Sequence, residues 1–197
     1  MNYIFSESSL VKQEDRLKDN CCTPHVLWLF GLSGSGKTTL AKKLELKLFN
    51  ELSKKVVWLD GDTLRKGINS NLGFDDKDRD ENIRRSSEVA KLFIETGHIV
   101  IASFITPLNR QRETVLNILN EKASLVYVET SIEECKRRDP KNLYQMTNDG
   151  KIENMTGVKS RFELPSIVDL TIKTEKSEVD ELVNLLFDFL KEKTSKR

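Results

Sequence analysis

The stretch Gly31-Leu32-Ser33-Gly34-Ser35-Gly36-Lys37-Thr38 follows an apolar run, Val26-Leu27-Trp28-Leu29-Phe30, and opens a segment with helical spacing that reaches about residue 50. It matches G-x-x-x-x-G-K-[ST] at the junction of a strand and a helix, the context in which that pattern has a mechanism. The glycines permit a turn whose backbone N–H groups converge on phosphate oxygens at a helix N-terminus, where the dipole also favours negative charge. Lys37 is then placed to reach the β- and γ-phosphates, and the Thr38 hydroxyl to ligate Mg²⁺. Gly31, Ser33, Gly34, Ser35, Gly36, Lys37, Thr38 and Thr39 are the residues expected to hold a nucleoside triphosphate.

Short apolar runs recur beyond this loop, at 26–30, 55–59, 99–104, 124–129 and 168–172, rich in Val, Ile and aromatics and too short for core helices. Segments with helical spacing lie between and after them, at 37–50, 80–96 with Gly97 as cap, 109–120 and 178–192. Strict alternation of this kind predicts an α/β fold: a five-stranded parallel sheet with helices on both faces, of the P-loop NTPase type. Residues 1–24 are polar and irregular and are expected to form an N-terminal arm, and 25–197 to form one domain. Within that domain about 138–165 is polar and aperiodic, as a functional lid or a disordered loop would be.

Composition narrows the partners. Lys plus Arg (32) nearly balances Asp plus Glu (31), so nothing in the overall charge argues for nucleic acid or an anionic membrane. The apolar runs are far short of a bilayer span and the N-terminus lacks the order of a signal peptide, which predicts a cytoplasmic protein. Cys21, Cys22 and Cys135 are odd in number and His25 and His98 are the only histidines, so neither a disulfide framework nor a zinc site is expected.

The second informative stretch is Val56-Val57-Trp58-Leu59-Asp60-Gly61-Asp62-Thr63-Leu64-Arg65. In an open parallel sheet ligands bind beyond the carboxyl ends of the strands, so Asp60 and Asp62 are expected on the same rim as the phosphate loop. There they are placed to help hold Mg²⁺, Asp60 with Thr38, or to accept the proton of an attacking hydroxyl, while Gly61 leaves room for a substrate. A turn and a helix N-cap is the plainer use of the same acids.

Leu59 to Arg65, followed by Asn71-Leu72-Gly73-Phe74, Asp78-Arg79-Asp80-Glu81-Asn82-Ile83-Arg84-Arg85 and Ser103-Phe104-Ile105-Thr106-Pro107, resembles the adenylyl-sulfate kinase (APS kinase) family over roughly residues 5 to 175. The resemblance implies an ATP- and Mg²⁺-dependent transferase that phosphorylates the ribose 3′-hydroxyl of adenylyl sulfate in sulfate assimilation, and a homodimer with a mobile lid. It implies that Lys37, Asp60 and Asp62 are catalytic. Arg65, Arg79 and Asn82 would hold the phosphosulfate and ribose, Phe74 would stack on the base, and Asp62, Ile105, Thr106 and Met155 would complete the acceptor site. Arg138 and Lys141 would close over ATP or the transferring phosphate. Guanidinium forks suit oxyanions and an aromatic face suits a nucleobase.

The chain departs from the family in its acceptor half. Gln145, Met146 and Asn148 stand where basic residues are usual, Met155 where phenylalanine is usual, Arg161-Phe162 where Pro-Tyr is usual, and Thr106 where serine is usual. These changes motivate an alternative acceptor, such as cytidine diphosphoramidate, used by a related branch in capsule modification. A catalytically inactive nucleotide-binding regulatory module is the alternative of another class, opposed by the complete set of Lys37, Thr38, Asp60 and Asp62. A GTPase switch lacks its Asn-Lys-x-Asp guanine reader here.

Overall fold

The structure is a computed structural model and describes residues 23–52 and 55–195. The expected arm therefore lies outside the described residues except for Thr23 and Pro24, as do Cys21 and Cys22. The elements run β1 (Val26–Phe30), α1 (Lys37–Leu52), β2 (Val56–Asp60), α2 (Gly61–Arg65), α3 (Asp76–Glu95), β3 (Ile99–Phe104), α4 (Asn109–Leu119), a 3₁₀ turn (Asn120–Lys122), β4 (Ala123–Glu129), α5 (Ile132–Arg138), α6 (Leu143–Asn148), β5 (Leu170–Lys173) and α7 (Val179–Thr194). Each strand falls within two residues of the apolar run that predicts it.

All pairings are parallel and the five strands lie in the order β2-β3-β1-β4-β5. β1 is central and every residue of it is buried, which is why VLWLF reads as a continuous apolar run instead of an alternating one. Alternate residues still face opposite layers. Leu27 and Leu29 pack with Leu40, Leu44 and Leu48 of α1 and Leu182, Leu186 and Leu190 of α7, whereas Trp28 and Phe30 pack with Ile83 and Ile94 of α3 and Val115 and Leu119 of α4. Truncating any of these fully buried leucines to alanine would cost about 2–5 kcal/mol.

Parallel register sends every strand's carboxyl end to one rim: Phe30 pairs with Phe104 and Tyr127, Asp60 with Ser103, and Glu129 with Lys173. Because β1 has β3 on one side and β4 on the other, the loop after it opens at the point where the strand order reverses, where ligands sit in open α/β sheets.

Three helices escape the sequence patterns. α2 and α6 are too short to show a period, and α5 carries only Cys135 as a buried residue. α3 begins earlier than periodicity predicts, because Asp75 caps it by accepting from the Asp78 N–H at 2.8 Å and Asp76 and Asp78 fill its first turn. The expected irregular segment is thus partly ordered: it holds α6, and its Tyr144, Met155, Leu143, Ile152 and Phe162 form a small cluster with Leu32 of the phosphate loop and Ile132 and Cys135 of α5.

Candidate active site

The phosphate loop folds as its glycines require. Gly34 and Gly36 take φ of +81° and +99°, and a Cβ on Gly31 would lie 2.5 Å from the Val128 carbonyl oxygen. Its floor is pinned from β5, where the Thr174 hydroxyl donates to the Ser35 carbonyl at 3.1 Å, with Thr130 beside it at 2.7 Å. The Lys37 ammonium is buried and donates to the carbonyls of Gly31 (2.9 Å) and Leu32 (2.6 Å) and to the Ser35 hydroxyl at 3.2 Å. Burial pushes its pKa down to about 8, with Lys141 acting in the same direction and Asp62 and Asp60 opposing.

The two acids sit in different surroundings. Asp60 ends β2 and caps α2: Oδ2 accepts the N–H groups of Asp62 and Thr63, each at 3.2 Å, and Oδ1 accepts the Ser103 hydroxyl at 3.2 Å. Ser103 in turn accepts from Trp58 Nε1 at 2.9 Å. The plainer capping use of Asp60 is therefore real, and it orients the carboxylate toward the rim. Asp62, in the first turn of the helix, is exposed, and its carboxylate is ion-paired with Lys141 from the segment between α5 and α6. Gly61 does less to make room than its sequence position suggests, since a Cβ there would meet the Phe104 ring at 3.1 Å.

A second group of cations faces these acids. Arg65 donates to the carbonyls of Leu72 (3.1 Å) and Gly73 (2.8 Å), and its guanidinium lies 4.3 Å from the centre of the exposed Phe74 ring. Arg79 is buried and bonds the Phe74 carbonyl (2.7 Å), the Thr156 hydroxyl (2.7 Å) and the Asn154 carbonyl (2.6 Å), so α3 is tied to the segment between α6 and β5. Burial lowers the pKa of both guanidiniums, against the pull of Asp62 and Asp78 on Arg65 and of Asp76 on Arg79. Thr106 holds φ +42°, a strained value for a β-branched residue, with its hydroxyl accepting from Trp28 Nε1 at 2.9 Å and its carbonyl from Arg112 Nε at 3.2 Å.

Both groups line one cavity of about 1080 Å³. Ser33, Gly34, Gly36, Lys37, Thr38, Thr39, Asp60, Asp62, Arg65, Phe74, Arg79, Asn82, Ile105, Thr106, Arg138, Lys141 and Met155 all reach its wall. Gly31 and Ser35 are not among its lining residues: Gly31 packs beneath it, its N–H on the Ile105 carbonyl at 3.2 Å, and the buried Ser35 holds the loop from within. Two placements differ from expectation. Arg138 belongs to α5 and is fixed there by Glu134 at 2.7 Å and by the Thr174 carbonyl at 2.9 Å, so it is wall and not lid. Met155 lines the cavity yet is buried in the lid cluster, and Phe162 stacks on Tyr127 with ring centres 6.0 Å apart. Sequence reasoning missed Thr174 and gave Ser103 no role of its own, because a lone hydroxyl after a strand or inside one carries no pattern.

The donor set suits Mg²⁺: the Thr38 hydroxyl and the Asp60 carboxylate are hard oxygen donors on one cavity wall, next to the loop that would hold phosphates. No group of three or more His, Cys, Asp or Glu residues suited to a metal exists among the described residues, in keeping with an ion bound largely through substrate phosphates.

The family model described as adenylylsulphate kinase matches residues 23–173. An adenylyl-sulfate kinase of Staphylococcus haemolyticus is 44% identical over 193 residues, covering 98% of this chain and 96% of the relative. One of Pseudomonas aeruginosa is 47% identical over 168 residues, covering 85% of each. Among solved structures, the Mycobacterium tuberculosis APS kinase in complex with AMPPNP and APS superposes with a TM-score of 0.82 at 36% identity, over 86% of this chain and 98% of that one. With the phosphate loop, the paired acids and the two arginines lining one cavity, and with these matches over most of its length, the chain belongs to the adenylylsulphate kinase family.

Proposed function

We propose that this kinase transfers the γ-phosphoryl group of ATP to the ribose 3′-hydroxyl of adenylyl sulfate, giving 3′-phosphoadenylyl sulfate and ADP. The observation that carries the reading is the shared cavity, which residues of the phosphate loop, the carboxylates of Asp60 and Asp62, and Arg65, Phe74 and Arg79 all line. Kinase relatives at 44% and 47% identity, named for adenylyl sulfate, support that acceptor over cytidine diphosphoramidate. The intact set of Lys37, Thr38, Asp60 and Asp62 favours an enzyme over an inactive regulatory module.

The phosphate loop binds the β- and γ-phosphates through its N–H groups, and Lys37 turns from its loop carbonyls to the phosphate oxygens. Thr38 and Asp60 would hold Mg²⁺, which when bound neutralises charge on the phosphates. Arg65, Arg79 and Asn82 orient the phosphosulfate and ribose, and Phe74 offers the base the ring face that Arg65 leaves open. Asp62 is the better proton acceptor, because both oxygens of Asp60 are engaged by α2 and Ser103 while the Asp62 carboxylate pairs, among the described residues, with Lys141 alone. The 3′-oxygen attacks the γ-phosphorus in line, its proton passes to Asp62, and the bond from the γ-phosphorus to the bridging oxygen breaks to release ADP. Catalysis comes from positioning and charge neutralisation.

The segment at about 138–165 acts as the lid, bringing Lys141 over the transferring phosphate and Thr156 and Asn154 onto Arg79. A cytoplasmic homodimer completes the reading on the strength of the family. Among the described residues no helix is long and apolar enough to cross a membrane.

The test is ADP release from MgATP with adenylyl sulfate, cytidine diphosphoramidate, other nucleotides or no acceptor. Efficient turnover with adenylyl sulfate is expected; turnover only with another nucleotide would overturn the acceptor, and turnover with none would return the inactive module.

A further inference from the structure

Asn69 lies in the turn between α2 and α3 and is fully buried, although the mechanism gives it no task. Its N–H donates to the Leu64 carbonyl at 2.9 Å and its carbonyl accepts from Leu72 at 3.1 Å, so its backbone belongs to the loop that carries Arg65 and Phe74. Its side chain crosses to α3, where Nδ2 donates to Asn82 Oδ1 at 2.9 Å and approaches Ser86 Oγ at 3.4 Å. Ser86 Oγ is itself committed as a donor to the Asn82 carbonyl at 2.7 Å. Asn69 Oδ1 accepts no hydrogen bond from any described residue, and a buried unpaired carbonyl destabilises a fold. A leucine of the same size would avoid that cost. What the amide supplies is the N–H pointed at Asn82.

That bond settles which end of Asn82 meets the cavity. An asparagine amide has one acceptor end and one donor end, and turning it exchanges them. With its Oδ1 end turned onto Asn69, Asn82 leaves its opposite, Nδ2 end to meet a substrate, and Nδ2 donates to no other described residue. We infer that Asn69 is a positioning residue that locks the Asn82 amide with its N–H₂ toward the acceptor, so that the pocket selects an anionic or hydroxyl oxygen acceptor at that point. The inference rests on the proposed acceptor site. It adds that the polarity of the site is set from behind, by a residue that touches no substrate.

The test uses the full-length protein with Asn69→Asp and Asn69→Leu. A carboxylate at position 69 only accepts, repels Asn82 Oδ1, and turns the Asn82 amide so that an oxygen faces the substrate. The KM for adenylyl sulfate is expected to rise about ten-fold or more in Asn69→Asp, with the KM for ATP changed less than about two-fold. Asn69→Leu, which frees the amide without reversing it, is expected to give a smaller rise. A purely structural role would move both KM values and the active fraction together, and that result, or an unchanged acceptor KM, would overturn the assignment. Side-chain amide exchange in the ¹⁵N-labelled wild type, with the Asn82 peak identified by its loss in Asn82→Ala, decides the geometry without any acceptor. Slow exchange at Asn69 Nδ2 and fast exchange at Asn82 Nδ2 are expected; the reverse would mean that the pair is turned the other way. A wild type that ignores adenylyl sulfate would instead count against the acceptor, leaving the exchange result to judge Asn69.

Discussion

Lys141 Nζ is ion-paired with Asp62, joining the segment between α5 and α6 to the start of α2 at the wall of the cavity. Both side chains are about half exposed, 48% and 61%, so the pair adds little to stability. Its value lies in holding a positive charge over the site. Lys141→Met is expected to shift the Tm by no more than about 4 °C while lowering kcat ten-fold or more. Thermal denaturation and steady-state rates check this; a large Tm loss with unchanged kcat would make the pair structural.

The unequal surroundings of the acids separate their roles. Asp62→Asn is expected to keep the wild-type Tm and to lose about a hundred-fold or more in kcat, the loss of a general base. Asp60→Ala should lose activity and also about 1 kcal/mol of stability, because α2 loses its cap. Wild-type kcat in Asp62→Asn would show that the proton goes elsewhere.

Legibility from sequence followed physical range. Strands such as Val26–Phe30 and the phosphate loop depend on neighbours along the chain, so their patterns are local and plain. The meeting of Asp60 and Asp62 with Gly31 to Thr38 was also legible, since parallel strands send their carboxyl ends to one rim. What stayed hidden depends on contacts across the fold. Thr174 holding both the phosphate loop and Arg138, Arg79 tied to Asn154, and Asn69 turned onto Asn82 join residues distant in sequence by side chains that have no period. α6 was missed because six residues are too few to display one.

His25 gives the fold a pH signature. It is buried with Nε2 3.0 Å from Ser124 Oγ, and burial first, then Lys193, pushes its pKa from 6.5 down to about 4 against the pull of Asp169. Below pH 6.5 the unfolded chain takes up a proton that the folded chain refuses until about pH 4. Stability is therefore full above that window and falls by about 3 kcal/mol on the way through it. Urea unfolding of wild type and His25→Asn between pH 7 and pH 4 is expected to show the wild type losing that much more; parallel profiles would refute the assignment. Carboxylates titrate in both proteins and cancel in the difference.

Met155 tests whether the departure from the family's phenylalanine serves the acceptor or the lid. Its burial beside Leu32, Cys135 and Tyr144 assigns it to the lid. Met155→Leu is expected to keep the acceptor KM within about three-fold and the stability within about 1.5 kcal/mol, whereas Met155→Phe overpacks the cluster at about 1–3 kcal/mol. A tighter acceptor KM in Met155→Phe without loss of Tm would show that the position belongs to the base site instead.

The central claim, phosphoryl transfer to a ribose 3′-hydroxyl held between Asp62 and the phosphate loop, is tested most directly with γ-labelled MgATP and two acceptors, adenylyl sulfate and its 3′-deoxy analogue. The account expects label in the first and none in the second, with Lys37→Ala silent toward both. Label in the 3′-deoxy compound, or none in adenylyl sulfate when the wild-type protein is folded and binds ATP, would contradict it.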